Sequence, residues 1–93
     1  RDVYGAAAAI LQESGLPSPD MVGHGIGMDI HEPPMLTPYA DEPLSAGMVL
    51  AVEPWLYDPT GLGVFCVEEL VLVTDSGAEV LSTLPRDQLL EVR

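Results

Sequence analysis

Two glutamates of this 93-residue chain stand where a carboxylate is costly. Glu53 ends the apolar run 48–52, and Glu68 interrupts the apolar run 64–74. A carboxylate buried in a strand loses several kcal/mol of hydration free energy unless something compensates. All three arginines lie at or near the chain ends, so a buried ion pair explains these glutamates poorly. A bound metal ion explains them better, because a cation stabilises ionised carboxylates in a dry site.

Both histidines of the chain fall in one glycine-rich segment, 23–36, which reads GHGIGMDIHEPPML. Imidazole is a common metal ligand and a proton donor near neutral pH, so His24 and His31 favour a metal or catalytic site together with the two glutamates. The Gly-x-Gly pattern is a poor phosphate loop, because it neither opens a helix nor completes the dinucleotide fingerprint. The alternative is that the glutamates face solvent on an edge strand and the histidines have structural roles.

The predicted strand 64–74 limits which glutamate can face such a site. Side chains alternate between the two faces of a strand, so Cys66 and Glu68 share one face and Glu69 lies on the other. At most one of the adjacent glutamates is then a ligand. Glu53 ends a neighbouring predicted strand, so strand pairing can bring it to Glu68. Cys66 itself is predicted to be a small buried hydrophobe.

The chain is predicted to begin with an amphipathic helix over 2–14, capped by Asp2 and stopped at Gly15. The apolar face of this helix comprises Val3, Ala7, Ile10 and Leu11. The pattern then predicts extended pieces over 21–31, a proline-rich loop over 32–47, strands over 48–55, 64–74 and 78–82, a hairpin turn at 75–77, and a short helix over 84–92. These elements predict an α+β class with a mostly antiparallel sheet and a helix at either end.

Composition excludes several classes of function. A net charge of −12, with three arginines and no lysine, speaks against nucleic acid as a partner. The chain contains no run of eighteen apolar residues that could span a membrane, and no signal peptide is visible. The lone cysteine fits a reducing cytosol. The length allows one domain at most, and the start at Arg1 suggests a processed product or a fragment.

Three motifs occur in order along the chain: GHGIGMDIHEPP at 23–34, AGMVLAVEP at 46–54 and VEELVLVTDSGAEVLS at 67–82. In this order they resemble the pita-bread metallopeptidases, which include methionine aminopeptidase, Xaa-Pro aminopeptidase, prolidase and creatinase. The first motif is most similar to the Xaa-Pro aminopeptidase and prolidase branch. The resemblance implies that residues 1–93 are the C-terminal portion of one catalytic domain of the pita-bread (creatinase/aminopeptidase) fold, with a curved, mostly antiparallel sheet and flanking helices, and that the N-terminal half is absent.

The resemblance also implies a role for each candidate residue. His24 matches a metal-ligand histidine, and Glu53 matches a glutamate ligand that also shuttles the proton of the attacking water. Glu68 matches the glutamate that bridges two metals, and His31 matches a histidine that contacts substrate and stabilises the tetrahedral intermediate. The implied cofactors are two divalent ions (Mn, Co, Zn or Fe) that share a hydroxide, and the implied substrate is a peptide or dipeptide with an N-terminal Xaa-Pro bond.

The chain departs from this family pattern in three respects. It holds no counterpart of the two aspartates that the family supplies from its N-terminal half, so we predict weak metal binding, no hydrolysis by the isolated chain, and pairing with that half or with a second copy. Cys66 stands where prolidases commonly carry an arginine, and Trp55 stands where a glycine usually follows the Glu-Pro pair. These two positions leave open a non-peptide amide substrate or a non-catalytic binding module. A cysteine hydrolase using Cys66 is a weaker alternative, since nothing nearby lowers the pKa of its thiol.

Overall fold

One helix and seven short strands form the fold, and the computed structural model describes all residues 1–93. The elements in chain order are α1 (Asp2–Glu13), β1 (Gly23–Gly25), β2 (Glu32–Met35), β3 (Val49–Val52), β4 (Trp55–Tyr57), β5 (Val64–Cys66), β6 (Glu69–Thr74) and β7 (Gly77–Val80). Five strands form one antiparallel sheet in the order β2-β1-β3-β6-β7, and β4 pairs with β5 in a separate two-stranded ribbon. The predicted α+β class and mostly antiparallel sheet are therefore confirmed. No helix of the chain has the length and apolar character needed to cross a membrane.

The predicted first helix is confirmed, although its start differs from the prediction. Arg1 is the N-cap residue and no side chain caps the helix, so the prediction of Asp2 as the cap is wrong. Asp2 instead lies in the first turn, where its carboxylate interacts favourably with the helix dipole. At the other end Gly15 has a φ of +73°, a conformation that favours glycine, and its N–H donates to the carbonyl of Gln12. One residue of the predicted apolar face, Ile10, is 64% exposed and therefore does not belong to the buried face of the helix.

The core lies where the helix packs on the first three strands. Val22, Leu36 and Leu50 are buried together, and Val3 and Ala7 of α1 pack against them. The N–H of Val22 donates to the carbonyl of Leu36 at 3.0 Å, which ties the residue before β1 to the residue after β2. The buried core therefore sits directly beneath the segment that carries the histidines.

The glycines on either side of His24 permit a close approach of backbones. A Cβ atom on Gly23 would lie 2.2 Å from the carbonyl oxygen of Ala51 in β3. A Cβ atom on Gly25 would lie 2.6 Å from the carbonyl oxygen of Pro33 in β2. Both contacts are with backbone, which cannot rotate away, so only glycine fits at these two positions of β1.

One predicted strand differs from the structure in a way that bears on the site. The predicted strand 64–74 is broken into β5 and β6, which belong to different sheets. The β3–β6 ladder ends at the pair Val52↔Glu69, and continuing its register would place Pro54 opposite Val67. Proline has no N–H to donate, so the ladder cannot extend through that pair.

Two further differences concern prolines and the chain end. β2 forms at an edge of the sheet inside the predicted loop 32–47, a place where strands tolerate proline. The predicted helix 84–92 is wrong, because the residues after β7 form no helix. Leu89 of this tail is 93% exposed, so a helix there would have no apolar surface to pack on, and short helices are marginal without packing.

The glycine contacts give a stability prediction. We expect Gly23→Ala to lower the free energy of unfolding by about 1–3 kcal/mol, because the added methyl group overpacks a junction of backbones. Gly5→Ala is the matched control, since a Cβ there meets nothing within 4 Å and alanine is the better helix former. Urea unfolding followed by circular dichroism measures both. Equal stability of Gly23→Ala and the unmodified chain would contradict the close-approach argument.

Candidate metal centre

His24 lies at the middle of β1 with only 2% of its surface exposed. Its Nδ1–H donates to the carbonyl oxygen of Gly25, 2.9 Å away, because a carbonyl can only accept. This bond fixes the ring so that Nε2 faces the carboxylate of Glu53, and Nε2 and Oε1 are 2.5 Å apart. With Nδ1 protonated, a neutral imidazole and a carboxylate present two acceptors to each other. A contact this short requires a proton on Nε2, shared with the carboxylate.

The surroundings of His24 favour its charged form. Burial by itself lowers the pKa of the imidazole, but the hydrogen bonds to Gly25 and Glu53 and the charges of Glu53 and Glu68 outweigh burial. The net result is a pKa raised above the ordinary value of 6.5. A site that attracts a proton in this way also attracts a divalent cation, and the two compete for the same nitrogen.

Glu53 is positioned by the end of β3. Its backbone N–H donates to the carbonyl of Val22 at 2.9 Å, which holds the residue beside β1 after the strand has ended. Its side chain is 17% exposed, in agreement with the prediction that this carboxylate sits in a largely apolar setting. Its second oxygen, Oε2, accepts a hydrogen bond from the indole Nε1–H of Trp55 at 3.4 Å.

His31 lies on the open side of the same cluster. Its ring packs edge to face against His24 with 4.3 Å between ring centroids, while its side chain is exposed. His24, His31 and Glu53 each offer one ligand atom, and these atoms all lie within 4.8 Å of one another. The structure therefore brings together three of the four residues that the sequence singled out.

Glu68 differs from the prediction of a buried strand residue. It lies in the break between β5 and β6 and is exposed. It stands outside the group formed by the two histidines and Glu53, although its charge acts on His24. The β3–β6 ladder ends at the pair Val52↔Glu69, so Glu53 and Glu68 each lie one residue beyond it and the structure does not pair them.

Cys66 is exposed, so its prediction as a buried hydrophobe is wrong. Partial desolvation raises the pKa of its thiol, and the charges of Glu53 and Glu68 raise it further. A thiol held protonated is a poor nucleophile, which disfavours the cysteine-hydrolase alternative.

Sequence reasoning missed the hydrogen bond from Trp55 to Glu53. The sequence identified Trp55 only as bulk near the site. The signal that could have found this bond is the spacing, because residues two apart in an extended chain share one face and Trp55 is two residues after Glu53.

The raised pKa of His24 predicts how stability depends on pH. The folded-state pKa lies above the unfolded value of about 6.5, so the stabilisation from the protonated His24–Glu53 pair is fully present below pH 6.5. It is lost as the pH rises through the folded-state pKa. We therefore expect the metal-free chain to lose more stability between pH 6 and pH 8 than His24→Asn does, measured by urea unfolding. A difference between the two that grows with pH would contradict the assignment.

Comparisons with known proteins identify one peptidase family. The family model of metallopeptidase family M24 matches residues 1–75. The chain is 41% identical over 68 residues to an Xaa-Pro dipeptidase of Pyrococcus furiosus, covering 73% of this chain and 19% of that protein. It is 36% identical over 87 residues to a probable dipeptidase PepE of Mycobacterium tuberculosis, covering 91% of this chain and 23% of that one.

Solved structures show the same relationship. The dipeptidase PepE from Mycobacterium ulcerans aligns with a TM-score of 0.81 at 36% identity, over 90% of this chain and 23% of its own. The prolidase from Pyrococcus furiosus aligns with a TM-score of 0.77 at 38% identity, over 86% of this chain and 24% of its own. The chain thus spans about a fifth to a quarter of the length of these relatives. With the sequence motifs, the family model and the backbone in agreement, the chain belongs to metallopeptidase family M24, the pita-bread metallopeptidases.

Proposed function

We propose that residues 1–93 are the C-terminal part of the catalytic domain of a metal-dependent peptidase that cleaves N-terminal Xaa-Pro bonds. The observation that carries the proposal is that His24, His31 and Glu53 each offer one ligand atom, all within 4.8 Å of one another. The 2.5 Å contact between His24 and Glu53 accommodates a proton, and a divalent ion with bonds of about 2 Å to each ligand would replace that proton as the two side chains move apart. The substrate class is proposed because two similar proteins are an Xaa-Pro dipeptidase and a prolidase.

The donor set fits the proposed metal. His24, Glu53 and Glu68 are assigned as ligands of two divalent ions, with Glu68 approaching from the break between β5 and β6. One imidazole and several carboxylates suit Mn, Co, Fe and Zn alike. When bound, such ions lower the pKa of water and polarise the scissile carbonyl.

The protein's own groups perform the remaining steps. The carboxylate of Glu53 lies within hydrogen-bond distance of Nε2 of His24. From this position Glu53 would take the proton of the attacking water and pass it to the leaving amine. His31 is exposed beside His24, so its ring faces the side from which substrate arrives. It donates a hydrogen bond where negative charge develops on the tetrahedral intermediate.

The site is completed by residues outside this chain. The family resemblance implies two aspartates from an N-terminal half, and this chain buries only 9 of its 93 residues. So little buried surface leaves apolar side chains such as Met28 and Ile30 exposed next to His31. We propose that the N-terminal half, or a second copy of the chain, covers this surface. The unpaired thiol of Cys66 is consistent with a cytoplasmic setting.

Metal binding by this chain alone tests the ligand assignment. We expect weak Mn²⁺ binding in isothermal titration, because only part of the ligand set is present, and no hydrolysis of Xaa-Pro dipeptides. His24→Ala is expected to abolish the binding. Glu79→Gln, a change at an exposed carboxylate of β7, is the control and is expected to leave it unchanged. Micromolar binding with turnover by the 93-residue chain would contradict the proposal that essential ligands lie elsewhere.

A second prediction separates the roles of the two histidines in the parent protein. His31→Ala is expected to lower kcat by about 10²–10³-fold, as removal of one donor to an oxyanion does elsewhere, with little change in metal content. His24→Ala is expected to lower metal content itself. Metal analysis and steady-state kinetics measure both. A parent protein that binds metal and hydrolyses no Xaa-Pro peptide would instead favour the non-catalytic binding module.

A further inference from the structure

The carboxylate of Glu53 is held at both of its oxygens. Oε1 faces Nε2 of His24 at 2.5 Å, and Oε2 accepts the indole N–H of Trp55 at 3.4 Å. These two partners lie on different parts of the fold, since His24 belongs to β1 of the main sheet and Trp55 to β4 of the separate ribbon. The orientation of the carboxylate therefore depends on how the ribbon sits against the sheet.

The backbone of Trp55 is well fixed for this task. Trp55 begins β4 and pairs with Cys66, the last residue of β5. Pro54 joins β3 to β4 and restricts the chain between Glu53 and Trp55. Although the Trp55 side chain is 53% exposed, its N–H is directed at the carboxylate rather than at solvent alone.

We propose that Trp55 is a positioning residue that turns Glu53 so that only Oε1 is presented to a metal ion at His24. The inference rests on the proposed metal site. A carboxylate held at Oε2 by a hydrogen bond approaches a cation through one oxygen, and the hydrogen bond lowers the cost of ordering its side chain. Trp55 thereby acts through Glu53 on metal affinity, without contacting the metal.

The chain offers a direct way to observe this contact. Trp55 is its only tryptophan, so the chain has a single indole N–H resonance and a single tryptophan fluorophore. Both signals report on the Glu53 carboxylate if the hydrogen bond exists in solution.

The first experiment tests the hydrogen bond in the metal-free chain. In ¹⁵N–¹H spectra, Glu53→Gln is expected to move the indole proton of Trp55 upfield, because a neutral amide oxygen is a weaker acceptor than a carboxylate. Glu79→Gln, remote on β7, is expected to leave it in place. An indole resonance that is the same in all three proteins would overturn the proposal, whether or not any metal binds.

The second experiment tests the consequence for metal, with Co²⁺ as the probe. Trp55→Phe keeps an aromatic ring and removes the N–H, and we expect it to weaken Co²⁺ binding about tenfold, the lower end of the loss seen for partners of metal ligands. Tyr57→Phe, two residues along the same exposed strand, is the matched control and is expected to bind as the unmodified chain does. Binding is followed by the shifts of the histidine ring protons, which each variant retains.

The outcomes separate this inference from the function on which it rests. Equal or tighter Co²⁺ binding by Trp55→Phe would overturn the positioning role and leave the metal site standing. Failure of the unmodified chain to bind Co²⁺ at its histidines would overturn the metal site and the positioning role together. If Trp55→Phe does not fold, the indole shift between the unmodified chain and Glu53→Gln still decides whether the hydrogen bond exists.

Discussion

The contact between His24 and Glu53 is the interaction on which the rest of the structure depends. It joins the middle of β1 to the residue that follows β3, across a ladder in which His24 is paired with Ala51 and Gly23 with Val52. This pairing brings the imidazole and the carboxylate to 2.5 Å. The glycines of β1 permit that approach, and the Glu53 N–H bond to the Val22 carbonyl holds the end of β3 in place.

The same contact sets the electrostatics of the site. The chain carries a net charge of −12 and no lysine, and the charges that act on the buried His24 are those of Glu53 and Glu68. Glu53 and Glu68 both raise the pKa of His24, so the site attracts a proton or a metal cation to offset their charge. A proton and a divalent cation would therefore compete for the same nitrogen of His24.

A second constraint is the interruption of the sheet beyond Val52. Pro54 ends the β3–β6 ladder, and the chain then forms the separate β4–β5 ribbon. This interruption places Trp55 within hydrogen-bond distance of Glu53 and leaves Glu68 in the exposed break before β6. Trp55 and Glu68, which a continuous strand would have placed in the sheet, thus lie at one edge of the site.

The sequence by itself determined the fold class, the first helix and the terminal hairpin, and it named His24, His31, Glu53 and Glu68 as candidate site residues. It could do so because helical spacing, turn residues and polar groups in apolar runs are local signals of chain geometry and solvation. The predictions of a continuous strand over 64–74 and of a helix over 84–92 were wrong. The apolar pattern of these segments is a local signal, whereas the strand break and the missing helix depend on what the chain packs against. Only the tertiary structure decided that His31 joins His24 and Glu53, that Glu68 stands apart in the break, and that Trp55 bonds the carboxylate. These contacts join different segments of the chain. Strand register and the approach of the backbones determine them, and residue type alone does not.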